Sequence, residues 1–187
     1  HSQHEAHAHL ASVQSALGLT EAPLRSYLTA LRLRPNDLAY RSQLGFLLIQ
    51  QGYLPKAEHC FRLVLRQEPY NVDAIAGLAT VLAKMGDPEG AIALAEPMIK
   101  TGVDHPDLAH VYASLCRKLG RPNDAIPVLQ RLLGRSRPLQ TRAQLQHALG
   151  ELYESAGHHD AAFGAHAEAN SARSATFDPD EFERHVT

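Results

Sequence analysis

The sequence predicts an all-α fold, a right-handed α-solenoid of about five helix–turn–helix units followed by a C-terminal capping or linker helix. The first observation behind this is a glycine at a fixed interval: Gly18, Gly52, Gly86 and Gly120 are each 34 residues apart, and Gly157 follows after 37. The second is that the residues at fixed distances from each glycine are small in every copy. The third is apolar residues at helical spacing on both sides of the glycines.

Two columns of small residues indicate where the helices of one pair cross. One column lies seven residues before the glycine, and the other lies five residues after it. Small side chains at a fixed phase indicate that a second helix approaches too closely for anything larger. The columns are Ala11, Gly45, Ala79, Ala113 and Gly150, and Pro23, Ala57, Ala91, Ala125 and Ala162.

Prolines place the helix ends within each unit. Pro88 and Pro122 stand at first helical positions, and Pro35 and Pro69 end the second helices of the first two units. Pro97 falls deep within a second helix, where proline costs about 3 kcal/mol, so we expect that helix to be bent or short. The units span about residues 4–37, 38–71, 72–105, 106–142 and 143–176, and residues 177–187 form a linker or the start of a C-terminal helix.

The second unit carries the pattern of a known repeat. Its residues are Leu44, Gly45, Leu48, Gly52, Tyr53, Ala57, Phe61 and Pro69. A 34-residue helix–turn–helix with these residues at these offsets resembles the tetratricopeptide repeat, and the resemblance covers about residues 4 to 176. The chain departs from that pattern in having no tryptophan, and in Val103 and Arg137 at the place of the terminal proline. The resemblance implies a concave surface that binds a protein or peptide partner.

Composition argues against several classes of function. The 187 residues carry a net charge of −2 with a pI near 6.7, whereas a nucleic-acid-binding protein normally has a high pI, so no nucleic-acid partner is predicted. No apolar run approaches the roughly 20 residues of a membrane span. The glycines never form a phosphate-binding loop. We therefore predict no cofactor, no metal and no enzymatic activity for this chain, and a cytoplasmic location, which suits its two cysteines.

Cysteine and histidine residues each allow two interpretations. Cys60 and Cys116 lie among apolar neighbours in predicted helices and are interpreted as buried thiols, with a reactive cysteine as the alternative. The N-terminal segment with His1, His4 and His7 is interpreted as an exposed first helix, with adventitious metal binding as the alternative. A polar loop accounts for residues 158–160, although His-His-Asp also occurs in metal and catalytic sites.

The remaining candidate for function is the wall formed by the first helix of each unit. Projecting the helical phase away from the small columns gives a wall with an apolar end and a basic centre. We expect an acidic or extended segment to dock near Lys84, Arg117 and Lys118, unless the wall is solvated or covered by a neighbouring domain. The predicted wall residues are Ser42, Phe46, Ile49, Gln50, Thr80, Lys84, His110, Ser114, Arg117, Lys118, His147 and Glu151.

The last unit carries a second resemblance. Residues 145–154, then 160–163, and then Asn170 with Arg173 three residues later are similar to the junction unit of bacterial proteins in which tetratricopeptide repeats precede a sulfotransferase domain. The resemblance covers about residues 143 to 184 and implies that this chain is the recruiting arm of a larger enzyme. The alternative is a stand-alone adaptor. Asp178 and Glu181 form a helix start whose apolar Phe182 and Val186 would contact a cap or a further domain.

Overall fold

The computed structural model describes residues 3–16, 21–136 and 138–174, and every regular element in this part of the chain is an α-helix. The predicted all-α class is therefore confirmed for the described residues. Gly18, Arg137, His1 and the predicted C-terminal helix at residues 178–187 lie outside them. The helices are α1 Gln3–Ala16, α2 Glu21–Leu33, α3 Leu38–Gln50, α4 Leu54–Gln67, α5 Val72–Met85, α6 Pro88–Lys100, α7 Pro106–Lys118, α8 Pro122–Arg135, α9 Leu139–Ser155 and α10 His159–Ser174.

The helices group into two compact units, His1–Ala95 and Glu96–Thr187, and the division falls within α6. In the first unit α1 packs on α2 and α3 packs on α4, while α4 also contacts α5. In the second unit α7 packs on α8, α8 on α9 and α9 on α10. The helices in each of these contacts are consecutive in the chain, as the short turns of the sequence predict.

The four described turns within helix pairs are each built on a glycine with left-handed backbone. Gly52, Gly86, Gly120 and Gly157 have φ between 69° and 91°. The N–H of the following residue donates to the carbonyl five residues earlier, as in the bond from Tyr53 to Leu48 at 2.9 Å. This Schellman geometry needs φ > 0, which only glycine adopts without strain. The predicted turn is confirmed at these four glycines.

The ten small residues of the two columns are all buried, which confirms the prediction from their spacing. The reason is clearest at Gly45 of α3, because a methyl group added there would lie 2.6 Å from the Phe61 ring of α4. Gly77 of α5 meets the same ring, so Phe61 is enclosed by glycines from two other helices. Close approach of the helices therefore depends on the absence of a side chain at both positions.

Four helix ends follow the prolines that the sequence analysis singled out. Helices α6 and α8 begin at Pro88 and Pro122 as predicted. Helices α2 and α4 end two residues before Pro35 and Pro69, which confirms those stops. Two further starts are capped by side chains that the sequence analysis did not identify. Asp37 and Asn71 each accept a hydrogen bond from a backbone N–H at 3.0 Å, which contributes about 1 kcal/mol per cap.

The helix containing Pro97 does not end early. It runs to Lys100 over 13 residues, the length of α3 and α7, and the Thr101 N–H donates to the Pro97 carbonyl at 3.1 Å. Pro97 removes the donor for the carbonyl of Ala93. Both residues are exposed, so water can replace the missing hydrogen bond. Of the two expectations for this helix, an early end was wrong for this reason, and a bend stays a prediction.

The last helix pair starts earlier than the predicted fifth unit. Helix α9 begins at Leu139, four residues before the predicted boundary at residue 143, and is 17 residues long. Pro138 occupies its N-cap position in extended backbone with φ of −62°. The longer first helix accounts for the wider glycine spacing of this unit.

Candidate functional site

Six of the twelve predicted wall residues lie in the unit His1–Ala95, and several of them serve its packing. Phe46 is half-buried and packs edge-on against Phe61, with ring centroids 5.1 Å apart. Thr80 is half-buried, and its hydroxyl donates to the Ala76 carbonyl at 2.8 Å. Ile49 is also half-buried, whereas Gln50 and Lys84 are exposed.

Ser42 does not lie on a surface as the sequence analysis expected. It is only 5% exposed, which leaves almost none of its side chain for a partner. Helix α3 contacts α2, α4 and α5, so more of its circumference is covered than a helix with one neighbour would show. Helical phase alone underestimates burial in such a position.

Five of the six wall residues in the unit Glu96–Thr187 line a single cavity between α7 and α9. Its volume is about 300 Å³. The α7 side chains recur every three or four residues, so they share one face of that helix, and the same holds for α9. Lys118, the sixth residue, is exposed and does not line the cavity. The lining residues are His110, Ala113, Ser114, Arg117, His147, Ala148, Glu151 and Leu152.

The polar groups of this α7–α9 pocket contact one another only weakly. The Arg117 guanidinium lies 3.5 Å from one carboxylate oxygen of Glu151, and His147 Nε2 lies 3.8 Å from the other. All three side chains are more than one-third exposed. Ion pairs of this kind contribute about 0–1 kcal/mol, so an incoming anion can replace Glu151 at little cost.

Behind His147 lies His166 of α10, which the sequence analysis did not single out. The two imidazole rings are 5.2 Å apart, and His166 Nε2 lies 3.4 Å from a carboxylate oxygen of Glu154. The His166 ring also lies against Gly150, where an added methyl group would collide with it. A sequence signal was available, because His166 stands nine residues after its turn glycine, the position that Phe61 occupies in the second repeat.

Both cysteines are buried free thiols, which confirms their structural interpretation. Burial raises the pKa of Cys60, and it also raises the pKa of Cys116, which hydrogen-bonds to the Tyr112 hydroxyl. A thiol that resists ionisation is a poor nucleophile.

The described part of the chain holds neither a metal-ligand cluster nor a membrane-spanning helix. No group of three or more His, Cys, Asp or Glu side chains is placed to hold a metal ion there. None of the described helices has the length and apolar character needed to cross a bilayer. His4 Nδ1 instead lies 3.0 Å from the Tyr40 hydroxyl.

Comparisons with known proteins agree with this architecture. Residues 48–115 match the family model of the tetratricopeptide repeat (TPR). A crystal structure of TTC0263, a thermophilic TPR protein of Thermus thermophilus, is 21% identical, covers 98% of this chain and 97% of its own, and superposes with a TM-score of 0.79. This chain has the tetratricopeptide-repeat fold.

Two further structures share the TPR fold at lower similarity. MamA from Desulfovibrio magneticus RS-1 is 16% identical, with coverage of 95% of this chain and 99% of its own and a TM-score of 0.66. YrrB, described as a TPR protein with an unusual peptide-binding site, is 18% identical, with coverage of 90% and 85% and a TM-score of 0.58. No curated protein sequence matches the chain.

Proposed function

We propose that the chain is a protein-interaction scaffold, and that its α7–α9 pocket binds an acidic, extended segment of a partner protein. The observation that carries the proposal is the set of donors around the cavity. Arg117, His110 and His147 can each donate to a carboxylate, whereas Glu151 is the one acidic residue among those lining the cavity. The peptide-binding site described for YrrB supports a peptide as the kind of partner.

The size and floor of the pocket fit a side chain rather than a large ligand. A cavity of about 300 Å³ lies at the lower limit of small-molecule sites. Its apolar floor, made by Ala113, Ala148 and Leu152, suits the methylene groups of a glutamate whose carboxylate reaches Arg117. Arg117 is the main contact in this proposal, because its planar guanidinium can bind a carboxylate through two hydrogen bonds.

Charge reversal at Arg117 tests the proposal. A display library of unstructured 12-residue peptides is selected on the full chain, and the affinity of the strongest binder is measured by calorimetry. We expect Arg117→Glu to weaken binding by about tenfold or more, which corresponds to about 1.4 kcal/mol. Lys118→Glu on the same helix lies outside the cavity and is the matched control, with less than about a threefold change.

Glu151 provides a test in the opposite direction. Because Glu151 competes with the incoming carboxylate for Arg117, Glu151→Gln should strengthen binding several-fold. Selected peptides without acidic residues, or equal losses for Arg117→Glu and Lys118→Glu, would contradict the proposal. So would a Glu151→Gln variant that binds more weakly while its circular dichroism spectrum is unchanged.

A finer proposal is that the scaffold recruits partners for a sulfotransferase domain. Its support is the resemblance of residues 143 to 184 to a junction unit, and the comparisons add nothing to it. The stand-alone adaptor is the alternative. Sequencing the natural reading frame around these residues distinguishes the two, since only the first places a sulfuryl-donor loop in the same polypeptide.

A further inference from the structure

A second cavity lies in the unit His1–Ala95, away from the wall that the sequence identified. It runs between α2 and α4, the second helices of the first two repeats, and α3 forms its floor. Its volume is about 490 Å³, within the range of binding sites for large side chains or small ligands. The residues lining this α2–α4 groove are Leu24, Leu28, Leu44, Leu48, Tyr53, Pro55, Lys56, His59 and Cys60.

The surface of the α2–α4 groove is apolar and exposed. Leu28 on one side is 44% exposed and Tyr53 on the other is 49% exposed, while Leu44 and Leu48 close the floor. Burial raises the pKa of Cys60, so its thiol stays neutral and adds to the apolar floor. Contiguous apolar surface of this kind marks an interaction site more often than a scattered exposed leucine does.

The charges at the rim of the groove are positive. Lys56 lies over the Tyr53 ring, with its Nζ 5.0 Å from the ring centroid, and His59 stands one turn further along α4. Arg32 follows Leu28 by one turn on α2 and is exposed. Among the described residues that line the groove there is no aspartate or glutamate, and Glu58 of α4 is paired with Arg62 at 2.8 Å. The rim therefore favours a partner with carboxylates beside its apolar side chains.

The walls also restrict the backbone of the partner. Both walls are helix sides, whose N–H and C=O groups are bonded within the helix. An extended peptide would find no backbone partner there, whereas a helix satisfies its own backbone groups. Helix α4 has 14 residues and is about 20 Å long, which matches a partner helix of three to four turns.

We propose that the α2–α4 groove binds an amphipathic, acidic helix of a partner protein. Its apolar side chains, spaced at i, i+3 or i+4, and i+7, seat over Leu44 and Leu48, and its carboxylates face Lys56 and Arg32. This is a second interaction surface with a chemistry different from that of the α7–α9 pocket. It holds whether or not that pocket binds peptides.

A peptide selection on the full chain tests the apolar part of this proposal. A library of 16-residue peptides patterned to form amphipathic helices is selected on the wild-type chain and then measured against Leu28→Asp. We expect the selected peptides to lose at least about tenfold in affinity with Leu28→Asp, which removes an apolar contact and adds a negative charge. Leu33→Asp is the matched control, since Leu33 lies on the same helix at 45% exposure but outside the groove.

The charge part is tested with the strongest peptide and its charge-reversed version, in which each glutamate is replaced by lysine. We expect the acidic peptide to bind the wild-type chain more tightly, and Lys56→Glu to reverse this order. Arg66→Glu on the same helix and Arg117→Glu in the α7–α9 pocket should leave both affinities unchanged. A failure of the α7–α9 pocket to bind acidic peptides would therefore not affect this result.

Several outcomes would overturn the proposal. One is a selection that yields no peptide sensitive to Leu28→Asp, and another is binding that ignores the sign of the peptide charge. Sedimentation velocity of the chain alone supplies a third. If the wild-type chain dimerises and Leu28→Asp is monomeric, the groove is occupied by a second copy and not by an acidic helix.

Discussion

Phe61 and His166 occupy the same position in two repeats, and their surroundings differ in chemistry. Each stands nine residues after the turn glycine, and each ring lies against the glycine seven residues before that turn, Gly45 for Phe61 and Gly150 for His166. Phe61 is completely buried, whereas 28% of the His166 side chain is exposed. The same contact between a ring and a glycine is therefore part of an apolar core in one unit and part of a polar cluster in the other.

The neighbouring column shows the same contrast. Six residues before the turn glycine stands Phe46 in the second repeat and Glu151 in the last. Phe46 packs on Phe61, while Glu151 lies beside Arg117 and His147 and lines the α7–α9 pocket. A hydrocarbon ring needs no hydrogen-bond partner, but an imidazole does. These two positions of the repeat thus decide whether that face is apolar or polar.

The largest expected effect comes from truncating the two equivalent rings. Phe61→Ala removes a completely buried ring between Gly45 and Gly77, and we expect it to lower the free energy of unfolding by about 3–5 kcal/mol. His166→Ala should cost less than about 2 kcal/mol, because its ring is part-exposed and its polar contact with Glu154 lies at the surface. Urea unfolding followed by circular dichroism measures both.

Hydrogen exchange shows where in the chain Phe61→Ala and His166→Ala each lower stability. Protection in α4 should fall with Phe61→Ala and stay unchanged with His166→Ala, because the rings belong to different units. Equal losses of stability for the two variants would show that the burial of the ring does not decide its contribution.

A smaller effect is expected from adding a single methyl group at a helical glycine. Gly45→Ala forces a methyl group against the Phe61 ring and should cost about 1–3 kcal/mol. Gly164→Ala in α10 is the matched control, since an added methyl group there meets no atom within 4 Å. That control should stabilise the chain by about 0.5–1 kcal/mol through helix propensity. Thermal unfolding of both variants shows whether each one is stabilised or destabilised. A stabilised Gly45→Ala variant would show that the α3–α4 contact is looser than described.

The smallest expected change in stability comes from substituting Asp104, the centre of a charge cluster in the unit Glu96–Thr187. Asp104, in the connection between α6 and α7, accepts hydrogen bonds from Arg131 at 3.1 Å and from Arg135. Burial raises the pKa of Asp104, but the hydrogen bonds from the two arginines outweigh it and hold the pKa below the ordinary value of 3.8. We expect Asp104→Asn to cost about 0.5–1 kcal/mol at pH 7.

The direction of the pH dependence follows from that lowered pKa. The folded chain binds the Asp104 proton less readily than the unfolded chain, so the contribution is complete above pH 3.8 and is lost as the pH falls through the lower folded value. The stability difference between wild type and Asp104→Asn should therefore shrink in acid. A difference that stays constant from pH 7 down to pH 3 would mean that the arginines do not stabilise the carboxylate.

Much of the fold could be read from the sequence because its constraints are local. Gly52 and Gly120 mark turns because only glycine adopts the left-handed backbone there without strain. The two columns of small residues, which include Gly45 and Ala57, were predictable because paired helices lie too close together there for larger side chains. The early helix end expected at Pro97 was wrong, because the cost of its missing hydrogen bond depends on whether water reaches the carbonyl of Ala93.

The candidate site was predictable in part. Helical phase placed His110, Ser114 and Arg117 on one face of α7, and the structure brings them to the same cavity as His147 and Glu151. Phase also placed Ser42 on a surface, although it is buried in a helix that has three neighbouring helices. The α2–α4 groove was missed, because Leu28 and Lys56 belong to second helices, which the sequence analysis treated as packing elements only.

The sequence alone determined the helix-pair repeat, its turns and its small columns, since each depends on backbone geometry within about 34 residues. Only the tertiary structure decided which side chains meet. The pairing of Arg117 with Glu151 and the enclosure of Phe61 by Gly45 and Gly77 join residues from different helices. Such contacts depend on how packed helices are rotated and spaced, and a period in one chain does not specify these quantities.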